Sequence, residues 1–201
     1  MHAATSTPTS EGVRSLILDI AEARFRRYSF RKTTMAEIAV DAGMSPANLY
    51  RYFDNKQALC AECGHRCMGR RIDALRTVAR GCSGTAAQRL HEFARTNLAV
   101  TFELVAEQPH IHELVQTISA DHPDLVRDNL KSITGLIAEI LEYGNSAGEF
   151  DVEDVIDTAS AVHAAMVLYE VPIFSQLMSR EELEHSAENV VALLVRGLRR
   201  V

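Results

Sequence analysis

The chain has 201 residues, 47% of them hydrophobic and 24% charged, which is enough to bury a substantial core in one or two domains and too apolar in balance for a disordered segment. No apolar run approaches the roughly 18 residues that a membrane span needs, and the polar residues 1–10 lack the apolar core of a secretory signal. The expected address is therefore the cytoplasm, with no membrane partner. The net charge of -6 disfavours a nucleic-acid partner only until it is divided: residues 1–80 carry +5 and residues 81–201 carry -11. That split places an anionic partner at the front of the chain.

Apolar spacing is helical throughout and nowhere alternates with period two, so the expected fold is all-α. Val13, Leu16, Ile17, Ile20, Ala21, Phe25 and Tyr28 fall on one stripe of a first helix from about Ser10 to Ser29. Thr34 followed by Glu37 is a capping-box pattern that starts a second, short helix ended by Gly43. Ser45-Pro46 restarts the chain, because Ser caps well and Pro suits the first helical turn, and a third helix is expected to run to about Phe53. Asp54-Asn55-Lys56 reads as a turn before a longer helix reaching Arg80. Gly81-Cys82-Ser83-Gly84 is the best internal linker. Further helices are expected at about 85–107, 109–120, 123–146, 152–176 and 179–199. Gln108-Pro109, His122-Pro123, Gly144 to Gly148, a cap at Asp151, and a second capping box from Ser179 and Glu182 punctuate them. Pro172 should kink or end the helix at 152–176.

Residues 33–53 thus read helix, turn, helix. A short second helix of this kind fits a DNA major groove about 12 Å wide, with its leading residues on base edges. Pro46 and Ala47 are small enough for close approach, Asn48 can pair with a base edge, and Arg51 can read a guanine or a phosphate. Thr34, Tyr50, Tyr52 and Lys56 suit phosphates, which position a protein without reading sequence.

The wording of residues 25–59 resembles the amino-terminal domain of the tetracycline-repressor (TetR) family of bacterial transcriptional regulators. The matching parts are Phe30, Thr33-Thr34, Ile38-Ala39, Ala42-Gly43, Ser45-Pro46, Leu49-Tyr50, Tyr52-Phe53, Lys56 and Leu59. The resemblance implies a homodimeric repressor that binds two-fold operator DNA and leaves it when a small-molecule effector binds. It implies a flexible tail over 1–10, a three-helix helix-turn-helix DNA-binding domain over 11–56, and a helical effector-binding and dimerisation domain over 57–201. It adds Ser45 to the DNA contacts and makes the apolar faces of 152–176 and 179–199 a four-helix dimer interface. Two positions depart from the pattern. Ser29 stands where the family often has Gly, and Asn48 stands where many members have Gly or Thr.

The rest of the chain carries no comparable motif. Phe93, Phe102, His110, His163, Met166 and Tyr169 are candidates for an effector cavity, since such cavities are mostly apolar with a few polar anchors. His91, His112 and Phe174 share that character. The competing class is an all-helical thiol or metal sensor, or a metal-dependent oxidoreductase. Cys60, Cys63 and Cys67 share one helical face, but the first and third stand about 10 Å apart along the axis, too far for one zinc. A pair of them with Cys82 or His65 stays open as a metal or redox site, but buried structural thiols are the simpler reading. The E-x-x-H spacings at Glu62-His65, Glu107-His110 and Glu182-His185 resemble parts of a di-iron site, yet one straddles Pro109 and another lies in an acidic first turn. No nucleophile elbow or phosphate-binding glycine loop is present. No catalytic residue, metal or cofactor is therefore expected.

Overall fold

The computed structural model describes residues 9–81, 83–107 and 110–199. Most of the expected tail, Cys82, the Gln108-Pro109 break and Arg200 lie outside the described residues. The elements in chain order are α1 (Ser10–Tyr28), α2 (Met35–Asp41), α3 (Pro46–Leu49), α4 (Lys56–Ala79), α5 (Ala86–Glu107), α6 (Ile111–Asp121), α7 (Pro123–Ser146), α8 (Val155–Met166), a 3-10 turn (Val167–Tyr169), α9 (Phe174–Leu177) and α10 (Arg180–Leu198). Among the described residues there is no strand, only one isolated bridge between Phe150 and Arg199. They form two compact units: one runs up to Arg66 and also takes Gln108–His122, and the other takes Cys67–Glu107 and Pro123–Val201. The boundary thus falls inside α4, ten residues beyond Lys56, and α6 belongs with the amino-terminal head.

In the head, Thr9 begins α1, its hydroxyl accepting the Gly12 N–H at 3.2 Å. At 100° per residue Ile17, Leu18, Ala21 and Phe25 fall within one narrow arc, and these are the residues that α1 buries. Leu16 lies outside that arc and is 48% exposed, so the expected stripe is turned by about one residue. Tyr28 is exposed too, with the Arg24 and Arg27 guanidiniums each 5.1 Å from its ring centroid. The capping box of α2 forms in full, Glu37 accepting the Thr34 N–H at 2.8 Å. Gly43, at φ 65°, turns the chain where a side chain would be strained. Ser45 caps α3 by accepting the Asn48 N–H at 3.2 Å. The third helix is shorter than its pattern suggests. It is α-helical only to Leu49 and continues to Phe53 as turns that mix i→i−3 and i→i−4 bonds, because Asn55 must already cap α4 through the Ala58 N–H. Ile17, Phe25, Ile38, Leu49, Phe53 and Leu59 close the core of the head.

The second unit is a helical bundle. In it α7 packs along α8 and α5 packs against both α7 and α10. Leu75, Leu90, Phe93, Ile133, Ile137, Met166, Leu183 and Val191 form its core. Around α8 the bundle departs from the sequence pattern at both helix ends. The cap of α8 is Asp154, which accepts the Asp157 N–H at 2.9 Å, rather than Asp151; Asp151 instead donates its backbone N–H to Leu198 O at 3.0 Å. The helix expected over 152–176 stops at Met166. Past the 3-10 turn the α-helix does not resume until Phe174: the Tyr169 carbonyl faces Thr101 Oγ1 at 3.1 Å, a hydroxyl that it shares with Asn97 O at 2.9 Å, and Pro172 has no N–H to offer.

Gly144 lies inside α7 rather than in the following loop. Phe150 folds back over it, so a Cβ there would come within 2.8 Å of the Phe150 ring. Gly144→Ala should therefore destabilise the protein by about 2 kcal/mol through overpacking. Thermal melts should show the loss, and Phe150→Leu in the same chain should recover part of it.

Candidate nucleic-acid interface

The corner between α1 and α2 decides how the following helices point. Ser29 sits at φ 74°, ψ 161°, a region that residues with a Cβ rarely enter, while its N–H still bonds Phe25 O. The buried Thr33 hydroxyl donates to Ser29 O at 2.7 Å. Lys56, at the start of α4, donates through Nζ to the carbonyls of Phe30 and Thr33, both at 2.9 Å, and stands 4.3 Å from the Phe30 ring centroid. Two of its three N–H donors are thus used inside the head. From α1, Arg24 reaches Asp41 at 2.5 Å and Glu37 at 3.2 Å, tying α2 alongside.

Beyond this frame α3 divides into two faces. Leu49 and Phe53 point inward, whereas Ser45, Pro46, Ala47, Tyr50 and Arg51 are exposed and Asn48 is half-buried. Thr34 is exposed at the cap of α2, and Tyr52 is half-buried with its carbonyl accepting Arg14 at 2.8 Å. Ser45 and Thr34 already use their hydroxyls as caps. Arg31 and Lys32 add two exposed cations at the corner, which the sequence pattern did not single out because they fall in a turn with no helical periodicity. The Thr34–Glu37 bonds hold the Glu37 carboxyl below its ordinary value of 4.5, so it remains an anion that supports the cap. A small helical head that packs one side of a short helix and offers the other to solvent has the form of a helix-turn-helix DNA-binding module.

The expected effector residues divide between the units. Phe93, His163, Met166 and Tyr169 are buried in the bundle, and Phe102 packs at the edge of its core. His110 belongs to the head unit. Around His163 lies a buried polar cluster. Its Nδ1 pairs with Thr134 Oγ1 at 2.8 Å and its Nε2 stands 3.1 Å from Glu170, whose carboxylate also accepts Asn97 Nδ2 at 2.9 Å. Arg71 donates from Nε to Asn97 Oδ1 at 2.7 Å and places Nη2 3.4 Å from Glu170. Of this cluster only His163 stood out in the sequence, because the other members come from separate helices with no shared motif.

Among the described residues, Cys60 and Cys63 and the glutamates of two E-x-x-H spacings take ordinary places. Cys60 and Cys63 are buried; desolvation pushes the Cys60 thiol up to about 12 and raises the Cys63 thiol further. Glu62 pairs with Arg14 at 3.1 Å, Glu182 closes the capping box of Ser179, and His185 stands 3.0 Å from Asn189 Nδ2. Among the described residues no group of three or more His, Cys, Asp or Glu side chains could hold a metal ion, and no helix is long and apolar enough to cross a membrane.

Two family models match the chain. Residues 17–63 match that of bacterial regulatory proteins of the tetR family, and residues 86–191 match that of the tetracyclin repressor-like C-terminal domain. The chain therefore belongs to the TetR family and is a DNA-binding transcriptional regulator, not an enzyme. No curated protein matches it. Among solved structures, one assigned to the TetR family from Mesorhizobium loti superposes with a TM-score of 0.75 at 21% identity, covering 96% of this chain and 100% of the other. A transcriptional regulator from Cytophaga hutchinsonii gives 0.72 at 20%, covering 92% and 98%. SmeT, the repressor of the Stenotrophomonas maltophilia multidrug efflux pump SmeDEF, gives 0.67 at 18%, covering 93% and 90%. At these identities the likeness establishes the fold.

Two outcomes follow from this geometry. Lys56→Met strips a charged donor from two carbonyls and should lower stability by about 2 kcal/mol. It should also weaken binding to all duplexes alike. A salt dependence unchanged from wild type would mark Lys56 as an internal staple, whereas a slope reduced by about one would mark a phosphate contact. The native Cys60 and Cys63 thiols should stay unreactive to a disulfide-exchange reagent at neutral pH and react once the chain is unfolded, as a timed thiol titration would show.

Proposed function

We propose that this regulator is a homodimeric repressor, acting in the cytoplasm on a two-fold operator and released from it by a small-molecule effector. The observation that carries the reading is the division of α3, with Leu49 buried while Pro46, Ala47, Tyr50 and Arg51 are offered to solvent. Pro46, Ala47, Asn48 and Arg51 meet base edges in the major groove. Thr34, Ser45, Tyr50, Tyr52 and Lys56 serve the backbone side, Ser45 and Thr34 chiefly by holding helix ends toward it.

Dimerisation is supported by the outer faces of the last long helices. Ile156 on α8 and Leu193 on α10 are each 64% exposed, and uncovered apolar side chains of that size on two helices of a bundle fit a two-fold interface with a second copy. The effector reading rests on the second unit. Phe93, Met166 and Tyr169 leave no exposed surface to speak of, so a ligand that enters beside Phe102 and His163 must first part them. A ligand that binds only the parted state shifts the population by its differential affinity and by nothing else. One protein of similar fold, SmeT, forms a complex with triclosan, which supports a small-molecule effector here.

Selection of genomic fragments on the purified protein, followed by fluorescence anisotropy, tests the reading. Asn48→Ala and Arg51→Ala should each change which sequences are preferred, with losses of about 1–3 kcal/mol on the best site. Two protomers should bind one palindromic duplex by sedimentation. Equal losses on matched and scrambled duplexes would contradict the division between base and backbone contacts.

A further inference from the structure

Helix α6 carries no sequence motif, yet it belongs to the head unit and reaches its decisive corner. Ile111, Leu114 and Ile118, three and four apart, form its buried face. Glu113, beside that face, is 22% exposed, and its Oε1 accepts the backbone N–H of Arg31 at 2.7 Å across 82 positions of sequence. Arg31 follows Phe30, whose carbonyl is held by Lys56. The corner is therefore gripped by two opposite charges, an ammonium on its carbonyls and a carboxylate on its amide. A hydrogen bond from an amide to a charged, partly desolvated carboxylate is stronger than a neutral one. The accompanying side-chain pair is weak by comparison: the guanidinium of Arg31 is 82% exposed and its Nε stands 3.8 Å from the same oxygen.

We propose that Glu113 is a positioning residue for DNA binding: through the Arg31 amide it fixes the corner that leads into Thr34 and α2, and so the direction in which α3 is presented, without touching DNA. The proposal rests on the reading that the exposed side of α3 meets DNA. Its physical content is preorganisation. A corner held before binding need not be ordered at binding, and freeing about one residue's backbone costs close to tenfold in affinity. A mere electrostatic role has the opposite sign, since an acidic group near a polyanion weakens binding and its removal tightens it.

The test uses the full chain, a duplex selected from genomic fragments, and three variants with amide exchange read at Arg31. Glu113→Ala should bind about tenfold more weakly with an unchanged salt slope, and its Arg31 amide should exchange faster. Glu113→Asp keeps the charge but falls one methylene short, and should behave like Glu113→Ala. Glu113→Gln loses the charge but keeps an acceptor oxygen, and should stay within about twofold of wild type with a protected amide. Wild-type affinity in Glu113→Asp, tighter binding in Glu113→Gln, or unprotected exchange at Arg31 in the wild type would each overturn the proposal. If Glu113→Ala does not fold, the Asp and Gln pair still decides. A wild-type protein that prefers no duplex would overturn instead the reading on which the proposal rests.

Discussion

The geometry of the DNA-reading head hangs on one ammonium group. Lys56 Nζ bonds the carbonyls of Phe30 and Thr33 and lies over the Phe30 ring, closing a corner in which Ser29 holds an unfavourable backbone conformation. Without a cation at that place the two carbonyls would need water, and the turn would have several ways to run. With it, the turn has one. Thr34 then stands where its hydroxyl and the Glu37 carboxylate can exchange bonds, and α2, Gly43 and α3 follow from local chemistry. Long-range order enters at Lys56, with Glu113 on the Arg31 amide and Arg24 reaching from α1 to α2 beside it, and short-range rules do the rest.

This explains which parts of the fold could be read from the chain alone. Features written in an unbroken run of sequence were legible: both capping boxes, Ser45-Pro46 at the start of α3, Gly43, and the long helices α4, α5, α7 and α10. Features made by distant partners were not. The Tyr169 carbonyl beyond α8 is met by Thr101, 68 residues away in sequence. The inward turn of Lys56 depends on Phe30 and Thr33. Gly144 reads as a loop residue until Phe150 is seen to fold over it. The same rule applies to the site. The exposed edge of α3 was legible because helix, cap and turn lie within 20 residues, whereas Glu113 and the Glu170 cluster carry no local mark.

The second unit keeps its polar groups where they are most constrained. Glu170, His163, Asn97 and Thr101 are buried together with most of Arg71, and desolvation holds the Arg71 guanidinium below its ordinary value despite the nearby Glu170 carboxylate. Such a cluster is not an economical source of stability, since apolar residues of equal volume often serve as well. What it supplies is direction. Each bond fixes one helix against another: Arg71 on α4 to Asn97 on α5, Asn97 to the segment after α8, and Thr134 on α7 to His163. Oily packing alone would let these helices slide by a fraction of a turn, whereas a mismatched buried hydrogen bond is penalised at once.

The backbone of Ser29 carries a cost that no side-chain contact offsets in full. Its φ of 74° and ψ of 161° suit glycine far better than serine. A glycine there would relieve the native strain, yet it would also loosen the denatured chain, and the two effects oppose each other. Strain of this kind costs about 1–3 kcal/mol, and the added freedom of a glycine in the denatured chain costs about 0.4–1 kcal/mol, so the serine holds this corner at a net cost in stability.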